Sequence, residues 1–167
     1  MTKPLRDIVE DHSLLGGRRL PGAKRYYAGL SKTRKLKRAA EIRQFGSMSW
    51  KDPRAYVGFK TDRGIKTRKS SYTATWLRRF PDAHSLESKA AATGVPLRFI
   101  RASFNRGMAA WRTGHRPGAT EQQWGYARAH SFLLCGKTAI STDSDLRRAA
   151  IAESPSARAW YRSINCV

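Results

Sequence analysis

Residues 96–112 read Pro96-Leu97-Arg98-Phe99-Ile100-Arg101-Ala102-Ser103-Phe104-Asn105-Arg106-Gly107-Met108-Ala109-Ala110-Trp111-Arg112. Leu97, Ile100, Phe104, Met108 and Trp111 recur at spacings of three and four, which places them on one face of a 3.6-residue helix. Pro96 stands where a first-turn proline belongs. The spacing predicts a helix opening at Pro96 and running to about 112.

The punctuation on both sides extends this reading. Upstream, Ser71 can cap a helix over about 72–80 that buries Tyr72, Trp76 and Leu77 or Phe80, with Pro81 ending it. Ser85 starts another over 86–92, and Gly94 terminates it. Downstream, Gly114 and Pro117-Gly118 break the chain, and Thr120 with Gln123 forms a capping box for a helix burying Trp124, Ala127, Ser131 and Leu134. Gly136 closes that helix, Thr142 or Asp143 caps 144–152, and Ser154-Pro155 opens a last short helix ending near Ile164. Residues 71–167 are expected to form a compact all-α domain of about five helices, so the fold class is mostly α.

The other end reads differently. Residues 1–17 suggest an N-terminal helix, capped by Thr2, with Pro4 in its first turn, Leu5, Ile8 and Val9 on one face, and Gly16-Gly17 as its stop. Residues 18–70 read as a basic, largely extended arm holding one helix over about 32–45, capped by Ser31. Leu36, Ala39, Ala40 and Ile42 or Arg43 would face inward there, and Lys32, Arg34, Lys35, Lys37 and Arg38 outward. The stretch Ala55–Phe59 offers at most one short strand.

Charge sharpens the division. The 167 residues carry 33 Lys and Arg against 12 Asp and Glu, a net +21, and residues 18–70 alone hold 17 basic and three acidic side chains, net +14. Self-repulsion on this scale opposes compactness unless an anion neutralises it. Nucleic acid is the first partner to expect, with an anionic membrane surface or an acidic protein next. No apolar run approaches the about 18 residues of a membrane span, and no leader-like apolar core follows Met1, so neither a span nor secretion is expected.

Catalytic and metal chemistry find no pattern to stand on. Cys135 and Cys166 lack metal-ligand spacing and are expected as free thiols in a reducing compartment. His12, His84, His115 and His130 form no spaced pair, so no metal site is expected. Gly136-Lys137-Thr138 resembles the end of a phosphate-binding loop, but Ser131 stands where that loop requires glycine. With no nucleophile–base pair and no paired carboxylates, the chain is expected to be no enzyme, with no cofactor and no small-molecule substrate.

Nucleic-acid contacts are expected from three places. The arm supplies Arg18, Arg19, Lys24, Arg25, Lys32, Arg34, Lys35, Lys37 and Arg38. Ala90, Gly94-Val95 and Ile100 match the skeleton of a helix-turn-helix over 86–106, from whose second helix Arg98, Arg101, Ser103 and Asn105 would project toward base edges. An ordinary αα-corner uses the same small and apolar positions, and both readings stay open. The turn between Trp111 and Trp124 likewise admits two: arginines stacked on ring faces, or a phosphate clamp of Arg112, His115 and Arg116.

The stretch Ala109-Ala110-Trp111-Arg112-Thr113-Gly114-His115-Arg116-Pro117-Gly118 also carries a resemblance. With it go Trp124-Gly125-Tyr126-Ala127-Arg128, Gly29-Leu30-Ser31 before the basic helix, Lys69-Ser70-Ser71-Tyr72-Thr73, and Gly136-Lys137-Thr138 followed by Thr142-Asp143-Ser144-Asp145-Leu146. Over roughly residues 24–150 the chain resembles an uncharacterised family of small basic proteins. These are encoded by large, phycodnavirus-like DNA viruses of algae and protists, and by some marine phages. The resemblance implies a viral origin and brings no activity and no catalytic residues. It leads to the expectation of a virion structural component, a minor capsid or internal virion protein. Such a protein would bind packaged nucleic acid, foremost DNA, or neighbouring virion proteins, or both, through its basic arm, residing in the virion and, during assembly, in the host cell interior. A helix-turn-helix DNA-binding regulator or genome-packaging factor is the alternative.

Overall fold

Three helices begin where a serine side chain supplies a cap. At α1 (Lys32–Ser47) the Ser31 hydroxyl accepts from the Arg34 amide, and at α3 (Leu86–Thr93) Ser85 accepts from the Ser88 amide at 3.0 Å. Ser154 does the same for Ala157, at 3.2 Å, at the start of α8 (Pro155–Ser163), with Pro155 in the first turn. The remaining helices are α2 (Ser71–Arg79), α4 (Leu97–Gly114), α5 (Glu121–Leu133), α6 (Lys137–Ile140) and α7 (Ser144–Glu153). The structure, a computed structural model, describes residues 14–15, 18–114 and 118–167. The fold is mostly α, as the sequence led one to expect. From Ser71 onward, among the described residues, it holds seven helices rather than about five, α6 being one that carries no sequence signal.

The chain divides into two compact units, one drawing on residues up to Thr67 together with Trp111–Thr120, the other on Arg68–Ala110 with Glu121–Val167. In the second unit α5 packs against α2 and α6, α7 against α6 and α8, and α3 against α8. Trp76, Val95, Ile100, Phe132, Leu133 and Tyr161 lie at its centre, all buried. The indole N–H groups find carbonyls there: Trp76 donates to Ala83 O at 3.0 Å and Trp160 to Leu133 O at 2.8 Å. Helices α4 and α5 approach closely through glycine. A Cβ on Gly107 would stand 2.7 Å from Trp124 O, and one on Gly125 would stand 2.6 Å from the Phe104 ring.

Free thiols were expected, and the fold corrects that. Cys135, just past α5, and Cys166, just past α8, form a disulfide with Cα atoms 5.7 Å apart and a sequence separation of 31. Spacing along the chain could not reveal this, because the three helices between them set where the sulfurs meet.

The first unit differs from the extended arm read from the sequence. Three short 3-10 turns, Lys24–Tyr27, Pro53–Tyr56 and Lys60–Asp62, fold against α1. Leu20, Tyr26, Tyr27, Ala39 and Phe59 are buried together, with Ile42 and Phe45 packed on them. These aromatics are irregularly spaced, so they show no period, yet they supply enough apolar surface for a small core. The strand expected over Ala55–Phe59 does not form, and its first two residues belong instead to the Pro53–Tyr56 turn. The helix expected over 1–17 lies outside the described residues except at Leu14–Leu15. Those two residues pair antiparallel with Arg18–Arg19, Leu14 opposite Arg19 and Leu15 opposite Arg18.

Candidate nucleic-acid interface

The surface of the first unit is decided by α1. Arg38, expected outside, is fully buried. Its Nε donates to Thr61 Oγ1 at 2.5 Å, Nη1 to Tyr26 O at 2.8 Å and Nη2 to Asp62, while its guanidinium sits 4.4 Å from the Phe59 ring centroid. Burial lowers its pKa, and Asp62 and Glu41 oppose that fall. Arg34 donates to the carbonyls of Thr61, at 3.1 Å, and Arg63. Both arginines therefore tie residues 61–63 to α1, and Arg38 is no phosphate contact. Conversely Leu36, expected inward, is 56% exposed. A face chosen by apolarity alone fails when a satisfied guanidinium forms the helix's buried contact.

The three carboxylates within residues 18–67 are all engaged internally. Glu41 accepts from the Lys60 amide at 2.7 Å, from the Thr61 amide at 3.3 Å and from the Thr61 hydroxyl. Asp62 pairs with Arg38, and Asp52 caps Pro53–Tyr56 and pairs with Arg54 at 2.8 Å. Of the candidates, Arg19, Lys24, Arg25, Lys32 and Lys37 are exposed and Lys35 is half-buried, while Arg18 belongs to the short strand pair. Arg43, Lys51, Arg63 and Lys66 are exposed as well. Arg43, which the helical period allowed to face inward, lies outward on α1, and the other three lie in turns and loops where no period marks which side faces solvent.

The second unit commits its basic side chains differently. Arg98 pairs with Glu153 and Arg101 with Glu87 at 3.1 Å, while Asn105 is exposed. Ser103 does not project, being buried and donating to Asp143 Oδ2 at 2.7 Å. Gly94 adopts φ +71°, and a Cβ there would stand 2.6 Å from Ser156 Cβ, so α8 packs directly on this corner. Asp143 was read as a simple helix-start residue. It does stand at the N-cap of α7, but its side chain caps nothing and is fully buried, accepting from Arg128 at 3.0 and 2.7 Å and from Arg106 at 3.0 Å besides Ser103. Burial alone would raise its pKa, but the hydrogen bonds from Arg128, Ser103 and Arg106 outweigh that and hold it low. Arg106 also grips Asp145, at 2.6 Å, and holds that carboxylate far below its ordinary range.

Around the 111–120 segment, Trp111 is buried and donates to Ala119 O at 2.8 Å. The Arg112 guanidinium lies 5.0 Å from the Tyr56 ring centroid, an arginine on a ring face. His115 and Arg116, the other members of the suggested clamp, lie outside the described residues. Among the described residues no group of His, Cys, Asp and Glu is placed to hold a metal ion, and no helix is long and apolar enough to cross a membrane.

These observations define a class: a mostly helical, strongly basic protein whose first unit engages its carboxylates internally and turns most of its lysines and arginines outward. Residues 23–148 match a family described as "Family of unknown function (DUF5824)", and the chain belongs to that family. No curated protein matches it, and no solved structure does.

Proposed function

We propose that this chain is a non-enzymatic nucleic-acid-binding protein that engages phosphates through its first unit. The carrying observation is the commitment of Glu41, Asp52 and Asp62 to internal partners. Lys24, Arg25, Lys32, Lys37, Lys51 and Lys66 are left exposed with no carboxylate partner among the described residues. Ammonium and guanidinium groups displayed this way release counterions when phosphates replace them, which makes binding tight at low salt and indifferent to sequence. With the viral origin that the resemblance implies, we propose that it acts as an internal or minor capsid component of a virus particle, packing DNA against neighbouring virion proteins.

The test is a salt titration of the full chain on two unrelated duplexes. The reading requires the same steep slope on both, roughly 0.9 in log–log terms per phosphate neutralised. A variant with Lys24, Arg25, Lys37 and Lys66 changed to Gln should flatten that slope. Strong preference for one duplex, undiminished in the variant, would favour a base-reading regulator, and no binding at low salt would refute the nucleic-acid reading. Mass spectrometry of purified particles tests the virion role separately, absence of the chain refuting it.

A further inference from the structure

The loop Ser49–Val57 displays apolar surface that the core of the first unit does not use. Trp50 and Val57 are each 62% exposed. The loop is nonetheless fixed. The Asp52 amide donates to Ser49 O at 2.9 Å, the Arg54 amide to Asp52 Oδ1 at 2.9 Å, and the Ala55 amide to Asp52 O at 3.0 Å. The Tyr56 hydroxyl closes the loop by donating to Trp50 O at 2.8 Å. An indole held out by an ordered backbone needs little further ordering to meet a ligand.

Its neighbours are cationic. The Lys51 ammonium lies over the Trp50 ring, 5.3 Å from the centroid, and the Arg112 guanidinium lies over Tyr56 at the loop's other end. An aromatic face beside ammonium and guanidinium groups matches one ligand chemistry well: a flat base joined to a phosphate. In a duplex the base faces are covered by their neighbours, and only an unpaired strand can offer them.

We infer that the Trp50 loop is a stacking platform for unpaired bases, giving the protein a binding mode for single-stranded nucleic acid besides its phosphate contacts to duplex. This rests on the nucleic-acid reading above. Lys51 neutralises the phosphate next to the stacked base, and the exposed cations of the unit hold the strand on either side. An apolar pocket on a protein partner is the competing occupant.

Trp50→Ala and Trp50→Phe separate the possibilities in the full chain, since the exposed side chain leaves the core intact and an unchanged thermal midpoint confirms it. Affinity is measured by fluorescence anisotropy at about 50 mM salt for an oligothymidylate of roughly 20 nucleotides and for a duplex of equal length. Trp50→Ala is expected to weaken the single strand about 5- to 150-fold, the usual range for one stacked base, with the duplex unchanged within about twofold. Trp50→Phe should recover some of the loss. Equal weakening of both ligands, or of neither, overturns the platform while leaving phosphate binding in place. A wild-type chain that binds neither ligand removes the nucleic-acid reading itself, and the platform with it.

Discussion

Replacing His130 by Phe should make the second unit resistant to acid. His130 is buried, its Nδ1 3.0 Å from Thr73 Oγ1 and its ring stacked on Trp76 and Tyr126 at 5.5 and 6.2 Å between centroids. Its Nε2 is buried without a hydrogen-bond partner among the described residues. Desolvation, then the nearby Lys89 ammonium, lower its pKa from 6.5 to about 3. The unfolded chain takes up this proton near pH 6.5 and the folded chain only near 3, so between those values the unfolded state binds more protons. Stability therefore falls as pH falls, by up to about 1.4 kcal/mol per unit, reaching about 2 kcal/mol at pH 5 and about 3 at pH 4. Phenylalanine keeps the stacked ring and has nothing to titrate. It loses the Thr73 hydrogen bond, about 1 kcal/mol, so the variant should be slightly less stable at pH 8 and more stable at pH 5. Urea midpoints by circular dichroism at pH 8, 6, 5 and 4 measure the crossover. Parallel pH profiles for the two proteins, or a His130 imidazole titrating near 6.5 by NMR, would refute the reasoning.

Four further outcomes are expected. Asp143→Asn strips the buried charge that Arg106 and Arg128 share and should cost about 3–5 kcal/mol, read from thermal or urea unfolding, because Arg128 loses its carboxylate partner while Arg106 keeps only Asp145. Arg38→Ala should destabilise the first unit by a similar about 3–5 kcal/mol. Lys37→Ala should instead leave unfolding within about 0.5 kcal/mol and lower the salt slope of duplex binding by about 0.9. Reducing Cys135–Cys166 should lower stability by about 3–4 kcal/mol, the chain-entropy value for a loop of 31 residues, and an unchanged melting temperature in reductant would count against the closed loop.

Much of the helical order was legible because it is written locally. Ser31, Ser85 and Ser154 cap the helices they were expected to cap, and the stripe through Ile100 and Trp111 is buried at both residues. What escaped depends on partners far along the chain. Arg38 reads as one more surface cation until Tyr26, Thr61 and Asp62 surround it, and Asp143 reads as a helix start until Ser103, Arg106 and Arg128 converge on it. His130 lies in α5, where the buried residues Ala129–Leu133 run consecutively and so carry no helical period. The core of the first unit escaped for a related reason, since Tyr26, Tyr27 and Phe59 lie in turns, where no periodicity announces burial. The charge of the candidate interface was plain throughout, but which cations stay exposed was settled only by where three carboxylates turn.

The Cys135–Cys166 bond also sets how the molecule carries load. A pull applied beyond Cys166 passes through the sulfurs straight to the end of α5, so α6, α7 and α8 hang on a slack loop and feel no tension. Machinery that threads chains through a narrow channel from that end would have to admit two strands side by side, or wait for a reductant to open the ring.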